Sequence, residues 1–166
     1  MRVEAEENAI TPYSLQLTWI IDPVLGQEEC EMESFHVLLV DDEVDFLDTV
    51  VKRIQKRKVN ALGAKNGEEA LALLKQTPVD VVVLDVKMPG LDGIEVLREI
   101  KRKYPLVEVI MLTGHASLEV AIEGMELGAF DFLMKPVEID DLLYKLQDAN
   151  KRRSIQLEKI KGMGKL

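Results

Sequence analysis

The sequence predicts an α/β domain in which five parallel strands alternate with five helices over residues 36–146. Two observations favour this fold class. Short apolar runs rich in valine, isoleucine and leucine recur along the stretch, as expected for strands that are buried on both faces of a sheet. Between these runs lie amphipathic segments whose apolar side chains repeat at helical spacing. This alternation predicts a doubly wound parallel sheet with helices on both faces.

The first predicted strand is the apolar run 36–40 (HVLLV), which stops at an acidic pair. A helix of about a dozen residues follows, because apolar side chains recur at helical spacing at positions 47, 50, 51 and 54. Residues 59–64 predict a weaker second strand. The next helix begins after Asn66, whose side chain can cap it, and ends before Pro78.

The remaining elements continue the alternation. Residues 80–85 (DVVVLD) give the strongest strand signal in the chain, and an amphipathic helix follows the turn MPGLDG. Residues 107–112 predict the fourth strand, and the fourth helix spans 117–127, with Gly128 at its C-terminal cap. Residues 130–134 predict the fifth strand, which leads into a last helix with a leucine-rich stripe.

Composition and charge restrict the classes of function. The chain is 47% hydrophobic and 31% charged, which fits a soluble globular protein, and no apolar run approaches the roughly 18 residues that span a bilayer. The acidic N-terminus lacks the basic start of a secretory signal, so we expect a cytoplasmic protein with no membrane contact. The net charge of −9 is divided into −7 over 1–33, −7 over 34–144 and +5 over 145–166. This acidic balance argues against nonspecific nucleic-acid binding by the whole chain.

Polar side chains follow four of the predicted strands, at the point where each apolar run ends. They are Asp41 and Asp42 after the first strand, Asp85 after the third, Thr113 after the fourth and Lys135 after the fifth. Because the carboxyl ends of parallel strands face one crevice, we expect these side chains to lie close together. Taken singly, Asp41 or Asp42 could simply cap the following helix, Asp85 could be a turn residue and Lys135 a solvated lysine. Their joint placement favours a site.

The chemistry of this group follows from its charge. Three neighbouring carboxylates repel one another and either raise their pKa values or bind a cation. Oxygen ligands of this kind suit Mg²⁺ (or Mn²⁺), which serves phosphate substrates. An ionised carboxylate can attack phosphorus to give an acyl phosphate, while Lys135 and Thr113 offer a charge and a hydroxyl to the phosphate oxygens. The sequence therefore predicts a metal-assisted phosphoryl-acceptor site.

The stretch 36–146 resembles the receiver domain of bacterial response regulators. The matching motifs are ordered and correctly spaced: VLLVDDE (37–43), NGEEAL (66–71), VVVLDVKMPGLDG (81–93), MLTGHAS (111–117) and FDFLMKP (130–136). The match covers about 110 of the 166 residues. The resemblance implies a flavodoxin-like fold with strand order 2-1-3-4-5, one of the two common doubly wound orders.

The resemblance also implies a role for each matching residue. Asp85 resembles the phosphoacceptor, Asp42 the direct metal ligand and Asp41 a partner that acts largely through metal-bound water. The backbone carbonyl of Lys87 would complete the metal shell. Lys87 and His115 also lie two residues past the phosphoacceptor and the switch threonine, beside the path of the hydrolytic water in the family. We hypothesise that they set the lifetime of the phosphorylated form, with a solvated loop residue as the equal alternative for His115.

The carboxyl ends of the last two strands carry the switch residues that the resemblance implies. Lys135 resembles the lysine that contacts the phosphate, and the family often has a cis bond to the following proline. Thr113 resembles the switch hydroxyl, with the Gly114 amide beside it. Phe132 occupies the aromatic switch position, where the family often has tyrosine; plain strand core is the alternative. Phenylalanine can still swing inward, but it lacks the hydroxyl.

Two segments lie outside the match. Residues 1–33 contain an alternating apolar pattern that predicts a half-buried strand, although disorder or an artefactual start is the favoured interpretation. The receiver is expected to cover 34–149, followed by a basic helix extension and tail over 150–166. In that tail NKRRS (150–154) interrupts the apolar stripe, and the glycine-bearing end 161–166 is typical of a frayed terminus.

The leading hypothesis is a stand-alone receiver that accepts phosphate from a sensor histidine kinase or a phosphotransfer protein. It would then present an altered face, from the fourth helix to the fifth strand, to a protein target, as a monomer or a phosphorylation-dependent dimer. About 16 residues after the last stripe leave no room for an output domain, so we expect no direct nucleic-acid contact. The alternative is a receiver cut from a larger transcriptional regulator.

An aspartate-nucleophile phosphatase of the haloacid-dehalogenase kind is a remote alternative from a different class. Such an enzyme requires a second acid two residues beyond its nucleophile, to protonate leaving groups. This chain has Lys87 at that position. We therefore expect no enzyme, but a phosphoacceptor that assists its own phosphorylation and dephosphorylation.

Overall fold

The structure is a computed structural model that describes residues 34–114 and 117–164. The predicted strands and helices of this part of the chain are present, with ends within one or two residues of the expected positions except at the C-terminus. The elements in chain order are β1 (His36–Val40), α1 (Val44–Lys56), β2 (Asn60–Ala64), α2 (Gly67–Gln76), β3 (Val81–Leu84), α3 (Gly93–Lys103), β4 (Glu108–Thr113), α4 (Leu118–Glu126), β5 (Asp131–Met134) and α5 (Ile139–Met163). The strand predicted within residues 1–33 lies outside the described residues.

The five strands form one parallel sheet in the order β2-β1-β3-β4-β5, which confirms the predicted topology. The register places Val40 of β1 opposite Leu84 of β3, and Leu84 opposite Met111 of β4. Because β1 and β3 end at the same level, the acidic residues that follow them leave the sheet side by side.

The core has two layers, one on each face of the sheet. Val82 and Leu84 of β3 belong to the cluster that packs against α2, α3 and α4. Val81 and Val83 point to the other face and join the cluster that includes α1 and α5. Both faces of β3 are therefore buried, which is why its sequence is a continuous apolar run rather than an alternating one.

Two predicted caps bound their helices as expected. The side chain of Asn66 accepts a hydrogen bond of 2.8 Å from the Glu69 N–H at the start of α2. After α4, Gly128 adopts φ +98°, a left-handed conformation that favours glycine. The N–H of Ala129 donates to the Gly124 carbonyl at 3.0 Å, which completes the usual glycine-terminated helix end.

The last helix runs through the basic segment 150–154. The interruption predicted there concerns the apolar stripe and not the helix, and α5 continues to Met163, into the segment 161–166 where a frayed end is expected. Two ion pairs hold this segment: Arg152 Nε lies 3.2 Å from Glu108 Oε1, and Arg153 Nη1 lies 2.8 Å from Asp80 Oδ1. No helix in the described part of the chain, α5 included, combines the length and the apolar composition needed to cross a bilayer.

Candidate functional site

Three carboxylates meet at the carboxyl edge of the sheet. One oxygen from each of Asp41, Asp42 and Asp85 lies within 4.8 Å of the others. Asp41 and Asp85 are buried, at 1% and 5% exposed, whereas Asp42 is exposed. The Asp85 N–H donates to the Val40 carbonyl at 2.9 Å, so the end of β1 holds the start of the loop after β3. The site thus combines two buried acids with one that faces solvent.

Lys135 and Thr113 reach the same place from β5 and β4. Lys135 Nζ lies 2.6 Å from Asp41 Oδ2 and 3.8 Å from Asp85 Oδ2. The Thr113 hydroxyl hydrogen-bonds the Asp85 carboxylate. The Lys135 N–H donates to the Thr113 carbonyl at 3.0 Å, and the Lys135-Pro136 peptide bond is cis. A hydroxyl and an ammonium therefore join the carboxylates, as the strand ends predicted.

Burial gives these groups unusual protonation behaviour. Burial raises the pKa of Asp41, and the hydrogen bond from Lys135 offsets part of that rise. The pKa of Asp85 is also raised, first by burial and then by repulsion from Asp41, against the opposing effects of Lys135 and Thr113. Burial works against the charged form of Lys135, but the hydrogen bond and charge of Asp41 raise its pKa overall. Burial and mutual repulsion thus disfavour the ionised forms of the Asp41 and Asp85 carboxyls.

The capping alternative for the acidic pair is not what the structure contains. Glu43 is the N-cap of α1 and has no side-chain capping hydrogen bond. Asp41 Oδ1 instead accepts the Glu43 N–H at 2.8 Å, one position before the helix begins. This bond holds the Asp41 side chain beside the sheet edge and leaves its Oδ2 atom for Lys135.

Other predicted residues surround the cluster. Lys87 is exposed in the loop between β3 and α3. Gly114 is exposed beside Lys135: a Cβ at Gly114 would lie 3.9 Å from the lysine Cβ. Phe132 is half-buried and packs against the core cluster beneath α2, α3 and α4. His115 lies outside the described residues.

Two contacts of Lys135 were not predicted. Glu43 Oε1 lies 3.2 Å from Lys135 Nζ, and the Phe46 ring centroid lies 4.2 Å from the same atom. In the sequence, Glu43 is the last residue of the VLLVDDE motif, and Phe46 lies in the predicted amphipathic helix that follows. Their position in and just before the first turn of α1, directly after a strand end, is the signal that could have found them.

The donor set fits a hard divalent cation. The cluster offers carboxylate oxygens that lie within 4.8 Å of one another, the ligand type that Mg²⁺ prefers. The raised pKa values of Asp41 and Asp85 point the same way, because a bound cation would relieve the repulsion that raises them. Asp42 adds an oxygen that solvent can reach.

Sequence comparison gives a consistent picture. Residues 37–147 match the family described as "Response regulator receiver domain". A response regulator described as NtrX-like, from Rickettsia bellii, is 34% identical over 131 residues, which cover 78% of this chain and 27% of that protein. The DNA-binding transcriptional regulator NtrC of Salmonella typhimurium is 34% identical over 113 residues, covering 68% of this chain and 24% of that protein. The chain thus spans about a quarter of the length of these curated relatives.

Structural comparison agrees on the fold. The CheY-like response regulator receiver domain protein from Methanospirillum hungatei superposes with a TM-score of 0.72 at 28% sequence identity. The match covers 75% of this chain and 99% of that one. The parallel sheet with its flanking helices therefore has a counterpart among solved structures, and nearly all of that counterpart lies within the match.

Proposed function

Because the chain belongs to the response regulator receiver domain family, we propose that it accepts a phosphoryl group on Asp85 from a histidine kinase or a phosphotransfer protein. The observation that carries this proposal is the convergence of Asp85 with two acids, an ammonium and a hydroxyl at one edge of the sheet. Receiver domains are in general signalling modules rather than turnover enzymes, and the phosphorylated state would be the signal.

In the proposed transfer, one carboxylate oxygen of Asp85 attacks the phosphorus atom. The bond between phosphorus and the donor nitrogen breaks, and its electron pair stays on the donor imidazole. Lys135 Nζ, 3.8 Å from Asp85 Oδ2, supplies positive charge to the phosphoryl oxygens. The Thr113 hydroxyl, which hydrogen-bonds the Asp85 carboxylate before transfer, would turn its hydrogen bond to the phosphoryl group.

The carboxylates of Asp41, Asp42 and Asp85, with the backbone carbonyl of Lys87, would hold Mg²⁺ (or Mn²⁺). When bound, the ion supplies charge that neutralises the phosphoryl oxygens. Asp41 and Asp85 gain from that charge because burial raises the pKa of both carboxyls. Lys87 and His115 are proposed to control the access of hydrolytic water and hence the lifetime of the phosphorylated form.

The proposed switch runs from Thr113 to the face formed by α4 and β5. Movement of Thr113 towards the phosphate, with the Gly114 amide beside it, would leave space into which Phe132 can swing. The same two elements carry large exposed apolar side chains, at Leu118 of α4 (77% exposed) and Met134 of β5 (55% exposed). Exposed apolar side chains of this kind would suit contact with a protein target.

Two output arrangements are compatible with this chemistry. The chain could act by itself through protein contacts, or it could be the input module of a longer regulator. The second is supported by the similarity to NtrX-like and NtrC proteins over about a quarter of their length, the latter described as DNA-binding. In either arrangement we propose that residues 34–164 themselves contact protein rather than nucleic acid.

Intact-mass measurement after incubation with acetyl phosphate and Mg²⁺ tests the proposal. We expect one phosphate per chain in the natural protein, and none in Asp85→Asn or after chelation of the metal. Asp45→Asn is the matched control, since Asp45 is an exposed acid in the first turn of α1 and should leave uptake unchanged. Uptake that survives Asp85→Asn would refute the assignment, and steady turnover of a generic phosphomonoester would favour a phosphatase instead.

A further inference from the structure

The Lys135 ammonium is held by more than the buried acids. Its Nζ atom lies 2.6 Å from Asp41 Oδ2 and 3.2 Å from Glu43 Oε1, and 4.2 Å from the Phe46 ring centroid. A lysine ammonium has three N–H donors and no acceptor. Two of the three donors are therefore engaged by Asp41 and Glu43, and the aromatic ring stabilises the charge from a further side.

Asp85 has the weakest hold on this ammonium. Its Oδ2 atom lies 3.8 Å from Lys135 Nζ, beyond the range of a hydrogen bond. A phosphoryl group on Asp85 would bring strong acceptor oxygens to the Lys135 ammonium. To bind them, the ammonium would give up at least one of its present contacts. The unphosphorylated arrangement thus differs from the one that phosphate requires.

The contact between Glu43 and Lys135 is the one that is lost most easily. Its side chain is 68% exposed and its contact with Nζ is the longer of the two, whereas the Asp41 side chain is 2% exposed. Exposed ion pairs are weak, because water competes for both charges. The buried contact with Asp41 should therefore persist while the contact with Glu43 is lost.

We propose that Glu43 is a positioning residue that holds the Lys135 ammonium beside Asp41 and competes with the incoming phosphoryl group for it. Glu43 thereby slows the phosphorylation of Asp85. This inference rests on the proposed function, since it assumes that Asp85 is the phosphoacceptor. Glu43 itself need not touch the phosphoryl group; it acts through Lys135.

Rates of phosphate uptake with Mg²⁺, followed by intact mass, test this with two small donors. Glu43→Gln keeps the side-chain length but removes the charge, and Glu43→Asp keeps the charge but falls one methylene short of Lys135. We expect both variants to take up phosphate about two- to fivefold faster, the range that an exposed ion pair of this kind is worth. The acceleration should be similar with acetyl phosphate, which is doubly charged at neutral pH, and with the singly charged phosphoramidate.

The matched control is Glu138→Gln. Glu138 is the exposed N-cap of α5, three residues beyond Lys135, and like Glu43 it makes no side-chain capping hydrogen bond. Its substitution removes the same charge close to Lys135 in the chain and should leave both rates unchanged. Thermal unfolding of every variant establishes that rates are compared between folded proteins.

Three outcomes would overturn the inference. They are an unchanged rate in Glu43→Gln, an acceleration confined to the doubly charged donor, and an equal acceleration in Glu138→Gln. The last two indicate a general repulsion of anions rather than a hold on Lys135. A natural chain that takes up no phosphate would refute the proposed function itself, whereas normal uptake with unaltered rates in Glu43→Gln would refute only the role of Glu43.

Discussion

Asp85 carries its carboxylate where folding alone disfavours a negative charge. The side chain is buried and its neighbour Asp41 repels it, so its pKa is raised despite Lys135 and Thr113. This follows directly from the ends of two paired strands, since each strand delivers an acid to the same level of the sheet. At the scale of single residues, burial and repulsion make the ionised site electrostatically unfavourable, and a bound cation would relieve that repulsion.

That cost predicts a stabilising substitution. Carboxylates less than 5 Å apart repel by about 3–4 kcal/mol at an effective dielectric near 20, and Lys135 offsets much of this. We therefore expect Asp85→Asn to raise the free energy of unfolding by about 1–2 kcal/mol at pH 7 without metal. Urea denaturation with and without Mg²⁺ measures the effect. Mg²⁺ should reduce the difference in unfolding free energy between Asp85→Asn and the natural chain, because it should stabilise the natural chain more than the variant.

The sign of the pH dependence follows from the raised pKa. Between the ordinary aspartate pKa of about 4 and the higher folded value, the folded chain binds more protons than the unfolded chain. Rising pH through this window therefore destabilises the natural protein, and the advantage of Asp85→Asn should shrink as the pH falls towards 4. An advantage that is equal at pH 4 and pH 7, or that also appears in Asp45→Asn, would contradict this explanation.

The sequence predicts the strand-end residues of the site but not their neighbours at the start of α1. The rule that parallel strands open into one crevice depends only on strand pattern, so it placed Asp41, Asp85 and Lys135 together. The contacts of Lys135 with Glu43 and Phe46 depend on where the first turn of α1 lies over the sheet. Periodicity identifies a helix and its buried stripe, but not which side chain covers a neighbouring strand end.

At the scale of elements, the loop from β3 to α3 is held by the backbone of one glycine. Gly93, the first residue of α3, donates its N–H to the Val86 carbonyl at 2.8 Å. A Cβ at Gly93 would lie 2.1 Å from the backbone oxygen of Asp85. The helix start therefore packs directly against the peptide that carries the predicted phosphoacceptor.

Gly93→Ala is thus expected to move this loop. Because the clash is with backbone atoms, it cannot be relieved by rotating a side chain, and we expect a loss of about 2–3 kcal/mol in the free energy of unfolding. Phosphate uptake should fall as well, since Asp85 and Lys87 lie in the displaced segment. Urea denaturation and intact-mass assays measure the two effects.

Gly124→Ala in α4 is the control for this substitution. There an added Cβ meets neighbours no closer than 3.7 Å, which is ordinary van der Waals contact. Replacing a helical glycine by alanine should then stabilise the protein, by up to about 1 kcal/mol. A neutral Gly93→Ala, or a destabilising Gly124→Ala, would show that these backbone contacts do not restrain the loop as described.

The elements themselves could be predicted almost completely, and the exception has a physical cause. Buried strands and capped helices leave apolar runs, polar caps and a C-terminal glycine in the sequence. The second half of α5 ends at a glycine, Gly164, but its apolar stripe is interrupted, and the pairing of Arg152 with Glu108 and of Arg153 with Asp80 holds this half in place. Charged partners so distant in sequence cannot be recognised from local pattern, so the sequence predicts a basic helix extension and tail over 150–166 without the ion pairs that it makes.

At the scale of the whole molecule, the sheet has a charged cluster at each end. The carboxyl end holds the candidate site, and the amino end holds a network around Glu108, at the start of β4. Glu108 is 1% exposed, with Lys101 Nζ 3.6 Å from its Oε2 atom and Arg152 Nε 3.2 Å from its Oε1 atom. Burial lowers the pKa of Lys101, and the charge of Glu108 works in the opposite direction. One acid thus joins β4, α3 and α5.

Removing that acid should cost much more than a surface substitution. Glu108→Ala leaves the partly buried Lys101 without its carboxylate and releases Arg152, so we expect a loss of about 3 kcal/mol in the free energy of unfolding. Helical circular dichroism should also fall as the end of α5 loosens. Chemical denaturation followed by circular dichroism records both changes.

Glu158→Ala provides the comparison, because Glu158 is an exposed acid on the same helix. Its effect should stay within about 0.5 kcal/mol, the usual range for surface positions. If the two alanine variants were equally stable, the ionic network would not be what extends α5. Glu108→Gln separates charge from shape, and it should be less damaging than alanine because the amide oxygen still accepts from Arg152.

The identity of the modified residue is the most direct test of the proposed phosphoryl chemistry. An acyl phosphate is reduced by borohydride to an alcohol, so a phosphorylated aspartate becomes homoserine and can be located by peptide mass spectrometry. After treatment with acetyl phosphate and Mg²⁺, we expect homoserine at position 85 alone, and none when the metal is chelated. Homoserine at position 41 or 42, or at no position in a protein that has gained phosphate, would contradict the site.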